Sequence, residues 1–308
     1  MTKPDISVVI VNRNTRMLLR NCLISLKNAA AAICFEVIVV DNGSSDDSVD
    51  MLTREFPNVL LIANRQNQGF ASANNQGLRI AKGRYCLLLN SDTRAAPGAL
   101  EQMISFMDTS LQAGACGPQL RYPDGSLQPS GRRFPTLLSV LGELLPVPEN
   151  WRKWLRGPLE KRDYSQTREV DEVPGAALCL RRQALDQVGL LDTEFFFSGE
   201  DIDLCWRLKK AGWKIYYFAD AQVVHHWGGS RSKREAFTYS LYAQRGYYLL
   251  SRKHFPRLES LILKLILILM TLVRLAKWLV LSLIKPGWID PRQVTRLHAL
   301  ELSWLSRN

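Results

Sequence analysis

The sequence predicts an α/β protein in which a mostly parallel central sheet is flanked by helices and followed by a helical, membrane-associating tail. Short runs of β-branched residues alternate with helical stretches over the first 120 residues. These runs are continuously apolar, which is typical of parallel strands covered on both faces. Residues 251–308 are both basic and very apolar, a combination that favours a membrane surface. We therefore expect an α/β domain over residues 1–250 and a tail over residues 251–308.

Four strands alternate with helices before residue 90. The strands are predicted at residues 7–11, 36–40, 59–63 and 85–89, and the helices at 15–28 and 71–81. Such sheets bind ligands at the carboxyl ends of their strands. Polar or acidic residues follow every strand and are expected to line one cleft: Asn12 and Arg13, Asp41 and Asn42, Asn64 and Arg65, and Asn90, Ser91 and Asp92.

Residues 131–170 interrupt this pattern with prolines, tryptophans and many basic groups. Tryptophan next to lysine and arginine, as at residues 151–154, favours the headgroup region of a membrane. The segment is predicted to be either a membrane-interface insertion or a lid that caps the sheet. Regular structure is expected again at residues 176–180, followed by a polar turn and helix at 198–212 and a strand at 214–218, and two histidines come just after residues 222–224.

Three groups of residues could carry chemistry. Asp92 ends a buried strand, and a fixed anion there suits a divalent ion shared with substrate phosphates; the alternative is a helix N-cap. Glu200 and Asp201 are adjacent acids after three phenylalanines, a setting that can raise a pKa and supply a general base. The alternative is a helix start, where acids are favoured by the dipole. Either His225 or His226 could complete the coordination shell of a metal ion through its imidazole. The alternative is a purely structural role.

Composition excludes several classes of protein. Hydrophobic residues make up 46% and charged residues 22%, so a disordered, collagen-like or disulfide-scaffold chain is excluded. Basic residues exceed acidic ones by 40 − 29 = 11, and residues 251–308 contribute 10 − 3 = 7 of this excess. Because the excess lies in an apolar tail, a nucleic-acid partner is not expected. The GxGxxG, GxxxxGK[ST] and GxSxG motifs are absent, which disfavours dinucleotide-binding, P-loop and hydrolase sites.

A helix is predicted over residues 258–285 in the tail, and Pro286 ends it. At about 100° per residue six of its polar members share one narrow face, with Lys277 at the edge of that face: Ser260, Lys264, Thr271, Arg274, Ser282 and Lys285. We expect an in-plane or re-entrant helix whose charges face lipid phosphates. The alternatives are a spanning helix, for which ~20 residues at 265–284 suffice, and a helix packed on the α/β domain or on another subunit of a homo-oligomer.

Taken in order, these pieces resemble glycosyltransferase family 2, and within it the bacterial rhamnosyltransferase-like branch that builds cell-envelope polysaccharides. The resemblance runs from residue 7 to about residue 230. It rests on residues 7–12, 37–46, 67–71 with Asn74, 90–92, 199–204 and 225–230. It implies a GT-A (Rossmann-like) fold and an inverting transfer of a sugar from a nucleotide diphosphate donor.

The resemblance also implies residue roles. Asp41 would hold the nucleotide base, Asp92 a divalent cation (Mg²⁺ or Mn²⁺), and Asp201 would deprotonate the acceptor with Glu200 beside it. His225 would be a further metal or diphosphate ligand. The family's DxD metal motif reads Asn90-Ser91-Asp92 here. The remaining residues of the implied nucleotide-sugar site are Val11, Asn12, Arg13, Asn42, Asn67, Asn74, Asn90 and Ser91.

The implied donor is a dTDP- or UDP-sugar, with dTDP-rhamnose favoured, and the implied acceptor is a saccharide on a polyprenyl diphosphate. The expected location is the cytoplasmic face of the inner (plasma) membrane, as a peripheral or monotopic protein. A nucleotidyltransferase of similar fold is one alternative, and it would release pyrophosphate instead of a nucleoside diphosphate. A catalytically silent membrane scaffold is the other, and the intact Asp41, Asp92 and Asp201 argue against it.

Overall fold

The computed structural model describes residues 3–30, 33–145, 148–151, 163–226, 233–284 and 291–307. The chain forms two units. The first, here called the catalytic unit, comprises residues 1–134 and 158–237, and the second, the helical unit, comprises 135–157 and 238–308.

The catalytic unit is built on one large sheet with helices on both faces. Its strands are β1 Ile6–Asn12, β2 Phe35–Asn42, β3 Leu60–Asn64, β4 Tyr85–Asn90, β5 Thr93–Ala95, β6 Ala113–Arg121, β7 Leu127–Gln128, β8 Arg168–Val170, β9 Ala177–Arg181 and β10 Lys214–His225. Its helices are α1 Arg16–Ala29, α2 Ser48–Glu55, α3 Phe70–Ile80, α4 Ala99–Thr109, α6 Arg182–Val188 and α7 Glu200–Lys210, and α5 Leu137–Leu144 lies in the helical unit.

The sheet has the strand order β3-β2-β1-β4-β9-β6-β10-β5, with β7 beside β6 and β8 beside β10. Strands β1 to β4 are parallel, as their continuous apolar runs predict. The second half is mixed, because β9 runs antiparallel to both β4 and β6. The parallel prediction therefore holds for the first half of the sheet, and the antiparallel strands come from the part of the sequence without a regular strand–helix alternation.

Side chains from both faces of the sheet are buried, which explains why the strands are apolar throughout. Val8 and Ile10 of β1 pack on one face with Leu19 and Leu23 of α1. Val9, which points to the opposite face, packs in the cluster that contains Leu78, Leu204 and other residues of α3 and α7. Successive side chains of a strand point to opposite faces of the sheet. When both faces are covered, the odd-numbered and the even-numbered residues of the strand must therefore both be apolar.

The strand predicted at 214–218 is longer than expected. It is the first part of β10, which continues to His225 and whose register against β6 shifts between Phe218 and Gln222. Such a bulge bends a strand without ending it. Of the predicted insertion at 131–170, residues 146–147 and 152–162 lie outside the described residues, and α5 begins after Thr136, whose side chain caps it.

The helical unit is formed by α5 and three later helices: α8 Lys233–His254, α9 Arg257–Ile284 and α10 Pro291–Arg307. Its apolar core is a small cluster to which each helix contributes: Val140, Tyr248, Leu263, Leu267 and Leu305. Across the described residues, none of the helices combines the length and the apolarity that crossing a membrane requires.

The polar face of α9 points into the helical unit. Ser260 and Thr271 are buried, and Arg274, which is half-buried, donates a hydrogen bond from Nη1 to Gln244 Oε1 at 3.0 Å. Arg274 therefore does not face lipid phosphates as expected, whereas Lys264 is half-exposed and Lys277 exposed. Residue 285 and the side chain of Ser282 lie outside the described residues. Helical periodicity predicts that a polar face exists. This face is turned inward, where the same side of the helix buries Leu263 and Leu267 in the apolar cluster and Arg274 contacts Gln244 of α8.

Candidate active site

The first part of the site lies where β1 and β2 end side by side. Asn12 and Asp41 are register partners, and Asn12 Nδ2 donates to Asp41 Oδ1 at 2.9 Å. The backbone N–H of Ser44 donates to the other carboxylate oxygen at 3.0 Å. Both side chains are buried, so the turn after β2 is fixed against the end of β1.

Asn42 organises the loop that precedes α3. Its Nδ2 donates to Asn67 Oδ1 at 2.9 Å and to Gly69 O at 3.2 Å, and its Oδ1 accepts from Gln68 N at 2.9 Å. Gly69 has φ +86°, and Asn67 Oδ1 also accepts from its backbone N–H at 3.0 Å. Asn42 and Asn67 therefore form one hydrogen-bonded unit that shapes this loop.

Thr15 joins these strand ends to the turn after β4. Its hydroxyl donates to Asn12 Oδ1 at 2.6 Å and lies 2.8 Å from Ser91 Oγ. Since Thr15 directly precedes α1, the sequence indicates only a helix start there. Its bridging role depends on the tertiary placement of Ser91.

Asp92 and His225 form the second part of the site. Their atoms Oδ1 and Nε2 are 3.3 Å apart, and the amide Nδ2 of Asn90 is 3.5 Å from the same imidazole nitrogen. Strand β10 brings His225 there by pairing opposite Thr93 of β5. The next backbone N–H, that of His226, donates to Asp92 O at 2.9 Å. The side chains of Asp92 and His225 are buried.

Gln128 orients the imidazole of His225. The Gln128 Oε1 atom lies 2.9 Å from His225 Nδ1. Because an amide oxygen only accepts hydrogen bonds, Nδ1 carries the hydrogen, and in the neutral imidazole the Nε2 lone pair is directed towards Asp92. A ligating histidine is commonly held in this way by its other nitrogen. Gln128 was not identified from the sequence, and its two-residue strand offers no signal for it.

The third part of the site is the start of α7. Asp201 is half-buried, and its Oδ2 accepts from Gly175 N at 2.8 Å while its Oδ1 accepts from Ile202 N at 2.9 Å. The residue after Gly175 contacts the second part of the site, because Ala176 O accepts from Asn90 N at 3.0 Å. The 175–176 backbone therefore connects Asp201 with the turn that carries Asp92.

Two buried acids lie near Asp201. Burial, together with the charge of the neighbouring Asp201, raises the pKa of Glu200 to about 8. Burial likewise raises the pKa of Glu172 to about 8, although Arg132 acts in the opposite direction. Both carboxyls therefore hold a proton at neutral pH to a large extent, so Asp201 is the more accessible base.

Most of the predicted site residues thus fall into three connected groups. The other three, Val11, Arg13 and Asn74, lie beside these groups. Val11 is half-buried near the end of β1, and Arg13 is exposed in the loop that follows. Asn74 donates to Phe70 O at 3.0 Å within its own helix α3. Residues 227–230 of the last motif lie outside the described residues. Sequence reasoning missed Thr15, Gln128, Glu172 and Gly175, which act through contacts between distant segments.

Sequence comparison places this chain among known glycosyltransferases. Residues 7–189 match the profile described as glycosyl transferase family 2, and residues 160–292 match glycosyl transferase family group 2. An N-acetylglucosaminyl-diphospho-decaprenol L-rhamnosyltransferase of Mycobacterium tuberculosis is 31% identical over 71% of this chain and 75% of its own length. The O-antigen biosynthesis protein RfbC of Myxococcus xanthus is 25% identical over 74% of this chain and 18% of its own length.

Two solved structures share the fold. A mannosyltransferase from Pyrobaculum calidifontis, solved with GDP-Man and Mn²⁺, superposes with a TM-score of 0.57 at 15% identity, over 99% of this chain and 88% of that one. GalNAc-T7, solved with UDP, GalNAc and Mn²⁺, gives a TM-score of 0.56 at 18% identity, and this chain spans only about half of it (48%). At these levels of sequence identity the similarity shows only a shared fold, an α/β fold with a large central sheet flanked by helices.

Proposed function

The chain belongs to glycosyltransferase family 2, and we propose that this glycosyltransferase moves an L-rhamnosyl group from dTDP-rhamnose to a saccharide carried on a polyprenyl diphosphate, with inversion at the anomeric carbon. The mycobacterial relative, named for an L-rhamnosyl transfer to N-acetylglucosaminyl-diphospho-decaprenol, supports this donor sugar and this acceptor class. Its similarity extends over 71% of this chain.

The observation that carries the proposal is the close approach of Asp92 and His225. A carboxylate oxygen and an imidazole nitrogen 3.3 Å apart fit two ligands of one divalent cation, Mg²⁺ or Mn²⁺. The described residues contain no cluster of three or more His, Cys, Asp or Glu residues that could hold a metal. We therefore assign further coordination to the diphosphate oxygens and water, the usual arrangement for Mg²⁺ with nucleotide substrates. A bound cation would neutralise the charge of the leaving diphosphate.

Asp201 is the proposed general base. It would take the proton of the acceptor hydroxyl while the hydroxyl oxygen forms its bond to the anomeric carbon. The bond between that carbon and the diphosphate oxygen breaks on the opposite face, and dTDP leaves with the electron pair. The hydrogen bonds from Gly175 N and Ile202 N fix the orientation of the carboxylate, as a base held within reach of its proton requires.

The strand ends at Asn12 and Asp41 and the loop at 64–69 are proposed to bind the nucleotide, with Val11, Arg13, Asn42, Asn67 and Asn74 around it. Asn90 and Ser91 would contact the donor beside Asp92. We propose that the reaction takes place at the cytoplasmic face of the plasma membrane and that the protein is peripheral or monotopic there, because the proposed acceptor is lipid-linked.

A donor panel tests the proposal. The purified protein is incubated with dTDP-, UDP- and GDP-sugars and a short-chain polyprenyl-diphosphate saccharide, and the released nucleoside diphosphate is measured with and without EDTA. We expect dTDP-rhamnose to be used best and EDTA to stop release. Preference for another donor would overturn the choice of sugar, and full activity in EDTA would overturn the assigned cation.

Replacing the base gives a sharper prediction. Asp201→Asn should lower kcat by roughly three orders of magnitude, because general bases contribute about 10²- to 10⁴-fold, while donor affinity stays unchanged. Single-turnover transfer and calorimetric donor binding measure the two quantities. Asp220→Asn, an exposed site on β10, is the control and should behave as the parent enzyme. Turnover near that of the parent would remove Asp201 from this role.

A further inference from the structure

Helix α9 presents a continuous apolar face to its surroundings. Among the side chains of this helix that the structure describes, eight large apolar ones are exposed: Leu258, Leu261, Ile262, Leu265, Leu269, Leu272, Val273 and Val280. Leu265 and Leu269, at its centre, are 57% and 61% exposed. On a soluble protein, an exposed apolar patch of this size usually marks a site that contacts another protein, a ligand or a membrane.

These residues share one side of the helix. At about 100° per residue they fall within an arc of roughly 120°, and at ~1.5 Å per residue the stripe from Leu258 to Val280 is about 33 Å long. The polar residues Ser260, Thr271 and Arg274 lie on the other side and pack within the helical unit. The side of the helix that faces the protein thus carries these polar groups together with the buried Leu263 and Leu267, whereas the side that faces the surroundings is apolar.

Cationic residues border the stripe. Arg257 is exposed and Lys264 half-exposed along one edge, and Lys277 is exposed along the other. Glu259 is the only acidic residue of α9. An apolar arc with lysine and arginine at its edges is the pattern of a helix that lies in the plane of an anionic bilayer, with its apolar side among the acyl chains and its cations at the headgroups.

Of the sixteen large apolar side chains that are exposed among the described residues, eight lie on this helix. In α10 the described exposed residues are Thr295, Ala299, Leu300, Ser306 and Arg307, and Leu300 is the one large apolar side chain among them. A helical bundle surrounded by lipid would need apolar residues on all outer sides. One-sided exposure favours contact with the surface of a bilayer.

We infer that the apolar face of α9 is the surface by which this protein docks in the plane of a membrane that contains anionic lipids. The inference deepens the proposed function, since a lipid-linked acceptor would be met at such a surface. It rests on the exposure and charge of α9, and a second copy of the chain is the competing occupant.

Flotation of the full-length protein with vesicles tests the inference. We expect binding to vesicles of phosphatidylcholine with phosphatidylglycerol, and weaker binding both to phosphatidylcholine alone and at high salt, because screening weakens the attraction of the cations. The double variant Leu265→Glu/Leu269→Glu should bind about 100-fold more weakly, since two leucines no longer enter the acyl region.

The matched control is Ile80→Glu/Leu111→Glu, which adds the same charge at two exposed apolar positions of the catalytic unit and should bind vesicles as the parent does. Circular dichroism and thermal unfolding should show that both variants are folded.

If the α9 variant floats as well as the control, or if the parent does not float, the inference is wrong. A parent that is dimeric by light scattering, does not float and becomes monomeric in the α9 variant would identify the second copy as the occupant and overturn the inference.

Donor-dependent release of nucleoside diphosphate with a water-soluble acceptor analogue separates this inference from the proposed function. The α9 variant should retain that activity while losing vesicle binding. A parent protein that floats but transfers no sugar would contradict the proposed function and leave the docking surface supported.

Discussion

At the scale of single residues, the site depends on side chains that orient other side chains. Gln128 is an example, because it does not itself face Asp92 but fixes the tautomer of His225 through Nδ1. The same holds for Thr15, whose hydroxyl connects Asn12 with Ser91. These contacts place the groups that are proposed to bind and react.

Removing Gln128 should weaken cation binding. In Gln128→Ala the imidazole of His225 loses its orienting partner, and we expect the Mn²⁺ concentration for half-maximal activity to rise about 10- to 100-fold. Calorimetric titration of Mn²⁺ in the presence of a nucleoside diphosphate measures the affinity directly. Gln119→Ala is the matched control, because Gln119 and Gln128 are both 6% exposed but Gln119 Nε2 donates to Tyr164 O. Equal effects in the two variants would contradict the role of Gln128.

The two buried acids predict how stability depends on pH. The pKa of both Glu200 and Glu172 is raised from 4.5 to about 8 by burial. Between these values the folded protein retains protons that the unfolded chain releases, so the free energy of unfolding should fall as pH rises through this window, by up to about 1.4 kcal/mol per pH unit for each group.

Urea denaturation at a series of pH values measures this dependence. Glu200→Gln should reduce the slope of the free energy of unfolding against pH between about pH 5 and pH 8, because the amide does not titrate. This range lies between the ordinary pKa of 4.5 and the raised value of about 8. Glu194→Gln, at an exposed position, should leave the slope unchanged. Parallel curves for the parent and Glu200→Gln would contradict the raised pKa.

At the scale of elements, the start of α3 is packed against the loop that leads to α7. Phe70 N donates to Phe196 O at 2.8 Å, and a Cβ atom on Gly69 would lie 2.8 Å from the same oxygen. The loop that Asn42 and Asn67 shape therefore touches the segment that carries Glu200 and Asp201. Gly69 is required both by its φ of +86° and by this close approach.

Gly69→Ala should therefore cost more than backbone strain alone. We expect a loss of about 2–4 kcal/mol in the free energy of unfolding and a raised KM for the donor, because the shifted loop carries Asn67. Gly189→Ala is the matched control: its φ of +84° is nearly the same, but among the described residues no heavy atom lies within 4 Å of the added Cβ. Denaturant midpoints and donor KM values compare them, and equal losses with an unchanged KM would contradict the packing argument.

At the scale of the whole molecule, the two units differ in the size of their apolar cores. The catalytic unit buries apolar residues on both faces of a large sheet. The helical unit has a small apolar cluster and, in addition, internal polar contacts. Arg245 Nε lies 2.7 Å from Glu301 Oε2, and burial raises the pKa of Glu301 even though Arg245 lowers it.

Breaking this ion pair should destabilise the helical unit selectively. Glu301→Ala leaves Arg245 without its carboxylate and should cost about 3 kcal/mol, whereas Arg245→Met/Glu301→Leu should cost less, since removing both charges avoids an unpaired one. Hydrogen exchange should accelerate in α8, α9 and α10 after the single substitution and remain unchanged in β1 and β4. Uniform acceleration, or a double variant less stable than the single one, would argue against this account.

Much of the catalytic unit follows from local sequence. Continuous apolar runs separated by helical segments determine parallel strands, and parallel strands place Asn12, Asp41 and Asn90 at one edge of the sheet because their carboxyl ends meet there. The antiparallel strands β5 and β9 could not be predicted in the same way, since antiparallel pairing depends on which distant segment lies alongside. The division at residue 250 and the roles of the individual site residues remain predictions.

What the sequence determined by itself is periodicity: which strands are buried on both faces, and that α9 has one polar and one apolar side. Only the tertiary structure decided what each side meets. It placed His225 beside Asp92 and Gln128, and it turned Arg274 inward and Leu265 outward. The reason is physical: a periodic pattern specifies directions around a single element, whereas the partner in each direction is set by packing between segments that are distant along the chain.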